Sequence, residues 1–247
     1  MSLSALVVIP TYNERTNIPV LVTGLMKHAN VRVLVVDDNS PDGTGDVADS
    51  LSAQFPGRVS VLHRTTNRGF GRSYIDGMKQ ALAEPVDVIC QMDADLSHDP
   101  EQLPSLIAAA ERADMVIGAR YVPGGRIVNW PLKRHVLSRF ANVYIRTVTR
   151  VRAHDCTSGY RCWRKEALAS LPLDQFFSDG YSFLVEMLFE AHRRGCRIAE
   201  VPITFVERRE GESKVSRAVL VESAVTPWRL ISRPARTGES AAPAKTS

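Results

Sequence analysis

The sequence predicts an α/β fold, a mostly parallel central sheet with helices on both faces. Three observations carry this. An unbroken apolar run at residues 5–9 and largely apolar runs at 31–36 and 86–92, interrupted only by Arg32, Asp87 and Gln91, read as parallel strands covered on both faces. Between them lie segments of helical periodicity. Each of the three runs also ends in a polar cluster: P-T-Y-N-E at 10–14, D-D at 37–38 and D-A-D at 93–95. In an open parallel sheet, ligands bind outside the carboxyl ends of the strands.

The elements follow in order. Residues 15–29 place Ile18, Leu21, Val22, Leu25 and Met26 on one helical face. After the second strand, Pro41-Asp42-Gly43 is turn chemistry and residues 44–54 read as helix. A third strand spans 59–62, a helix 71–83, a further helix 100–112 and a short strand 115–118. Residues 131–150 read as one helix with Pro131 near its first turn. Val136, Leu137, Phe140, Val143, Tyr144 and Val148 fall to one side of it. His135, Arg139, Arg146 and Arg150 fall to another. Residues 180–194 read as helix, 196–206 as strand, and 216–231 as an amphipathic helix broken at Pro227. The stretch 232–247, rich in Ser, Ala, Pro and Lys, reads as a disordered tail after a single domain at 1–231.

Bulk properties narrow the function. Hydrophobic residues at 44% suffice for a substantial core. None of the four cysteines forms C-x-x-C, so no zinc or thioredoxin-like motif is signalled and a reduced cytoplasmic setting fits. No signal peptide and no run long enough to span a bilayer is present, so a membrane role means peripheral contact. Residues 119–154 carry eight Lys or Arg and no acid, which leaves about −4 for the rest of a chain of net charge +4. Such a strip suits an anionic surface, or a solvated face. It lacks the interleaved aromatics of a single-stranded nucleic-acid platform.

The D-A-D at 93–95 follows a largely apolar strand. Two carboxylates so close repel unless a cation or protons compensate. With oxygen ligands and no His or Cys, Mg²⁺ or Mn²⁺ is the fitting ion, bridging diphosphate oxygens. The first turn is not G-x-G-x-x-G, which excludes a nicotinamide fingerprint. Gly69-Phe-Gly71 reads as a tight turn into a helix. Asp155 and Arg161 flank a loop that either lines an acceptor channel or carries a buried salt bridge.

The ordered series P-T-Y-N-E, V-D-D-N-S-P-D-G-T, D-A-D-L-S-H, G-A-R-Y and G-E-S-K resembles family 2 glycosyltransferases of GT-A fold, within them the polyprenol (dolichol) phosphate mannose synthases. The resemblance runs from about residue 5 to residue 231. It implies transfer of mannose from GDP-mannose to a polyprenyl phosphate, with inversion and a divalent metal. Pro10, Tyr12, Glu14, Val36 and Asp38 would hold base and ribose. Asp93, Ala94 and Asp95 would lie along diphosphate and metal, with Asp93 and Asp95 as ligands. Arg120, Arg134 and Ser138 would grip the acceptor phosphate. Arg208 and Lys214 would close over the diphosphate, so that Asp95, Arg120, Arg208 and Lys214 carry the chemistry. Where the family often has Gln, this chain has Ser97. The resemblance places the enzyme at the cytoplasmic membrane face, docked through 131–150 and, in some relatives, held by a separate anchoring protein. A UDP-glucose-dependent glucosyltransferase and a catalytically silent nucleotide-binding partner remain the open alternatives. Arg120 is also open to pairing with Asp114 or Glu111.

Overall fold

Strand β1 (Ala5–Thr11) shows why its run is unbroken: Leu6 and Val8 enter one buried cluster, while Ala5, Val7 and Ile9 enter another on the opposite face. Both faces are covered, so no position is left for polar alternation. This is a computed structural model describing residues 2–66, 68–178, 180–207 and 217–233.

After β1 come α1 (Ile18–Leu25), β2 (Val31–Asp37), α2 (Thr44–Gln54), β3 (Val59–His63), α3 (Phe70–Leu82) and β4 (Val88–Gln91). A 3₁₀ turn at Pro100–Gln102 leads into α4 (Leu103–Ala109), then β5 (Met115–Ala119), β6 (Arg126–Val128) and α5 (Leu132–Thr149). The chain continues through β7 (Arg161–Arg164), α6 (Lys165–Ala169), α7 (Gly180–Arg193), β8 (Ile198–Pro202), β9 (Thr204–Val206) and α8 (Arg217–Ile231). The main sheet has seven strands in the order β3-β2-β1-β4-β7-β5-β8, all parallel except β7. β6 and β9 form a small parallel pair of their own.

Four expectations need correction. The helix expected at 15–29 is only α1, because Pro19 sits in its first turn and residues 26–28 leave the helix. There Arg58 satisfies carbonyls left by the helix end, donating to Met26 O at 3.0 Å and, beside the Val31 N–H, to His28 O at 2.5 Å. The single strand expected at 196–206 is two, β8 and β9, in different sheets. α8 runs through Pro227 rather than breaking at it. Packing holds it: Tyr144 Oη donates to Ala224 O at 2.6 Å and accepts from Trp228 Nε1 at 2.8 Å. β7 had no expected counterpart. Its Arg161 is fully buried and donates to Ser158 O, Leu184 O and Cys156 O at 2.7–3.0 Å, so a central strand carries a charge that hides it from pattern reading. The part of the expected tail from residue 234 onward lies outside the described residues.

Candidate active site

β1 has β2 on one side and β4 on the other, so the strand order reverses there and the three carboxyl ends open a crevice. At each end the chain turns through a residue of positive φ: Asn13 at 61°, Asn39 at 56° and Leu96 at 61°. Asn takes this conformation at small cost; Leu does not. A strained Leu directly after D-A-D lets the chain double back, and such strain gathers at functional sites.

The crevice is a cleft of about 600 Å³. Pro10, Tyr12, Glu14, Asp38, Asp93, Ala94 and Asp95 all line it. Val36 does not. Its side chain is fully buried beneath α3, where it faces Gly77. Sequence reasoning missed Arg68, Phe70 and Ser73, which form the wall between β3 and α3. The Arg68 guanidinium lies 5.2 Å from the Tyr12 ring, and its Nη2 donates to Asn39 O at 3.0 Å. Gly69, read as part of a plain turn, is also cleft wall: its N–H donates to Asp38 Oδ2 at 2.9 Å from a φ of 151° that favours glycine. The other oxygen of Asp38 accepts from buried Arg64 at 2.5 Å.

Asp93 Oδ1 accepts from Tyr74 Oη at 3.1 Å, and a Cβ on Gly159 would lie 3.0 Å from Asp93 Oδ2. The glycine therefore lets β7's approach pass close to the carboxylate. Asp95 Oδ1 accepts the N–H of Ser97 at 3.1 Å. Ser97 is buried and absent from the cleft lining; its main chain, not its hydroxyl, serves the turn. Among the described residues no group of three metal-binding side chains occurs. Two carboxylates on an open cleft fit a hard divalent cation whose remaining ligands come from substrate phosphates.

A second cluster forms around the end of β5. Arg120 Nε and Nη2 donate to the two oxygens of Asp155 at 2.7 Å each, and Nη2 also to Thr157 Oγ1 at 2.8 Å. The partner is thus neither Asp114, which pairs with Arg197, nor Glu111. The open question about Asp155 and Arg161 resolves the same way: the buried salt bridge is to Arg120. Burial opposes the Asp155 charge, but the Arg120 guanidinium and its hydrogen bonds outweigh it and hold the carboxyl below its usual range. The Arg120 guanidinium lies 5.3–5.6 Å from the rings of Phe205, Tyr121 and Trp130. Arg134 stacks on Trp130 at 4.1 Å and bonds Glu207 at 2.6 Å; Ser138 Oγ accepts from Tyr121 Oη at 2.7 Å. Arg120, Arg134 and Ser138 therefore converge on one pair of rings. Another missed residue is His98, buried beside both clusters. Burial pushes it down to about 4, so its Nδ1 is free to accept.

Arg208 and Lys214 lie outside the described residues. The basic strip is not one face: Arg120 and Arg134 turn inward to acids from elsewhere in the chain. Among the residues that stay outside, with Arg126, Lys133 and Arg152, one stripe runs along α5 to its C-cap Arg150, beside exposed Leu137 and Phe140. Leu132, Val136, Arg139, Val143, Arg146 and Arg150 recur at alternating steps of four and three, with Val136 62% and Val143 59% exposed. Apolar and basic residues thus share the open side instead of dividing the helix, and the buried side is Asn142, Ile145 and Thr149. Among the described residues no helix is long and apolar enough to cross a membrane.

The model of the family described as "Glycosyl transferase family 2" matches residues 6–171. The chain is 49% identical over 232 residues to an undecaprenyl-phosphate mannosyltransferase of Micrococcus luteus, covering 92% of this chain and 95% of that protein. It is 46% identical over 233 residues to a polyprenol monophosphomannose synthase of Mycolicibacterium smegmatis, covering 92% and 88%. Among solved structures, glucosyl-3-phosphoglycerate synthase from Mycobacterium tuberculosis, in complex with Mn²⁺, UDP and phosphoglyceric acid, superposes with a TM-score of 0.71. That match covers 94% of this chain and 80% of the other at 18% identity, which is a likeness of fold.

Proposed function

The chain belongs to glycosyl transferase family 2, and from that premise we propose that it transfers mannose from GDP-mannose to a polyprenyl phosphate. The observation that carries the reading is the meeting of Tyr12, Glu14, Asp38, Asp93 and Asp95 in one cleft at the strand ends. The names of the two bacterial relatives support both sugar and acceptor.

In this reading the Tyr12 ring, backed by Arg68, offers a face for the base, and Glu14 and Asp38 address the ribose. Asp93 and Asp95 would hold a divalent ion, Mg²⁺ or Mn²⁺, together with the diphosphate. When bound, such an ion supplies neutralisation of charge on the leaving nucleoside diphosphate. Arg208 and Lys214 are assigned to the same charge from the segment outside the described residues. The acceptor phosphate is assigned to Arg120, Arg134 and Ser138. Binding there exchanges the Glu207 carboxylate on Arg134 for phosphate, a swap of one anion for another.

A phosphate monoester has a second pKa of about 6 and is largely a dianion at neutral pH, so it is already a nucleophile. No side chain needs to take a proton from it, unlike a sugar hydroxyl. The protein's task is to hold two anions in line and stabilise departing charge. A single displacement inverts the sugar carbon. The acceptor is a lipid, and the α5 stripe, with its mixture of arginine and apolar side chains, suits the headgroup region at the cytoplasmic membrane face. A separate anchoring protein is compatible with this contact.

The deciding experiment incubates purified protein with radiolabelled GDP-mannose, polyprenyl phosphate and Mg²⁺, then extracts with organic solvent. Label in the lipid phase is the expected result. A parallel panel with UDP-glucose separates the glucosyl alternative, and absence of label from every nucleotide sugar would leave only a silent binding protein.

A further inference from the structure

The D-A-D turn hangs from β4 and the arginine cluster from the end of β5, yet the reaction needs the two in fixed relation. His98 touches both. Its Nδ1 accepts the N–H of Asp93 at 3.3 Å. Its ring stacks on Tyr160 at 5.0 Å and meets Phe205 edge-on at 5.6 Å. The Phe205 ring lies 5.3 Å from the Arg120 guanidinium carbon and 5.4 Å from the Trp130 ring, on which Arg134 stacks. The main chain repeats the link: His98 and Phe205 form an isolated antiparallel bridge, and Val206 N–H donates to Ser97 O at 3.2 Å. His98 is 1% exposed and does not line the cleft. It acts through its neighbours, not on substrate.

We propose that His98 is a positioning residue that sets the donor diphosphate site against the acceptor phosphate site, with Nδ1 serving the first and the ring face the second. This rests on the donor and acceptor assignments made above. The physical need is clear: in a displacement between two anions, a small misplacement costs rate even where each ligand still binds. The two duties are carried by different parts of one ring, so they separate by substitution. In His98→Asn the side-chain oxygen takes the place of Nδ1 as acceptor, and the ring contacts are lost. In His98→Phe the ring remains and the acceptor is lost.

The test measures two quantities on the full chain: Mn²⁺-dependent GDP binding by calorimetry, and KM and kcat for polyprenyl phosphate in detergent micelles. Tm is recorded for each variant. His98→Phe is expected to weaken GDP binding about three- to tenfold, the scale of one lost hydrogen bond, with the acceptor KM near wild type. His98→Asn is expected to keep GDP binding and to lose about three- to tenfold in acceptor KM or kcat, the scale of an aromatic pair. Should His98→Phe not fold, His98→Leu removes the same acceptor and replaces it in the binding assay. Equal loss of both quantities in both variants, or a fall in Tm with neither quantity moved, would overturn the proposal. A wild-type protein that bound no GDP with Mn²⁺ would instead overturn the donor assignment, and the proposal with it.

Discussion

Arg120 and Asp155 face each other as a bidentate pair, Nε to Oδ2 and Nη2 to Oδ1, both at 2.7 Å and both nearly shut off from solvent. The Arg120 N–H adds a third bond to the same carboxylate at 2.9 Å. Breaking a buried pair from one side strands a charge and costs about 3–5 kcal/mol. Asp155→Ala should therefore lose stability on that scale in urea unfolding, while the double variant Arg120→Met, Asp155→Leu should recover much of it.

The same pair sets a pH dependence. The Asp155 carboxyl is held below its ordinary 3.8. Its contribution is complete above that value and disappears as pH falls through the depressed one, because the unfolded chain binds the proton first. Unfolding curves recorded from pH 7 down to about 2 should show the wild type losing more stability below about pH 4 than the double variant. Parallel curves would refute the linkage.

Gly77 packs α3 against the sheet. A Cβ there would lie 2.6 Å from Val8 Cγ1 and 2.7 Å from Val36 Cγ2, closer than any real contact. Gly77→Ala gains helix propensity but overpacks two buried valines, a cost of about 1–3 kcal/mol. A lower Tm with an unchanged cleft is the expected outcome, and a rise in Tm would show that the strands yield at no cost.

Asp95→Ala removes one of the two carboxylates proposed for the ion, and turnover should fall at least 10²-fold, roughly the scale of losing one preorganised electrostatic contact. Chelator should silence the wild type, and added Mg²⁺ or Mn²⁺ should restore it. Undiminished activity in chelator would remove the metal from the reading.

Vesicle binding tests the α5 stripe. Replacing Arg139, Arg146 and Arg150 by Gln should weaken partition to anionic vesicles by about 1 kcal/mol per residue, and the loss should shrink as salt rises. Phe140→Ser, at a position 67% exposed, should weaken binding in a manner indifferent to salt. Partition at low salt that ignores the arginines would count against membrane docking through this helix.

Much of the cleft was legible before any fold was known. β1, β2 and β4 read as strands because both their faces are buried, and their polar ends marked the cleft. Val36 misled because a residue next to a strand end can still point into the core. β7 was illegible because Arg161 satisfies itself on three carbonyls, so burial left no apolar trace. On α5 the expected division into an apolar and a basic side does not hold: Val136, Phe140 and Val143 are exposed together with Arg139, while Asn142 is buried.

The sequence by itself determined the parallel strands β1 to β5 and the acidic turn, since periodicity and turn chemistry are local and report burial directly. Only the tertiary structure decided which charges meet. Arg120 finds its carboxylate 35 residues away and Arg134 finds Glu207 across 73, and His98 joins two turns through the ring of Phe205. Such pairings depend on how strands are ordered in space, and no local pattern of residues encodes that order.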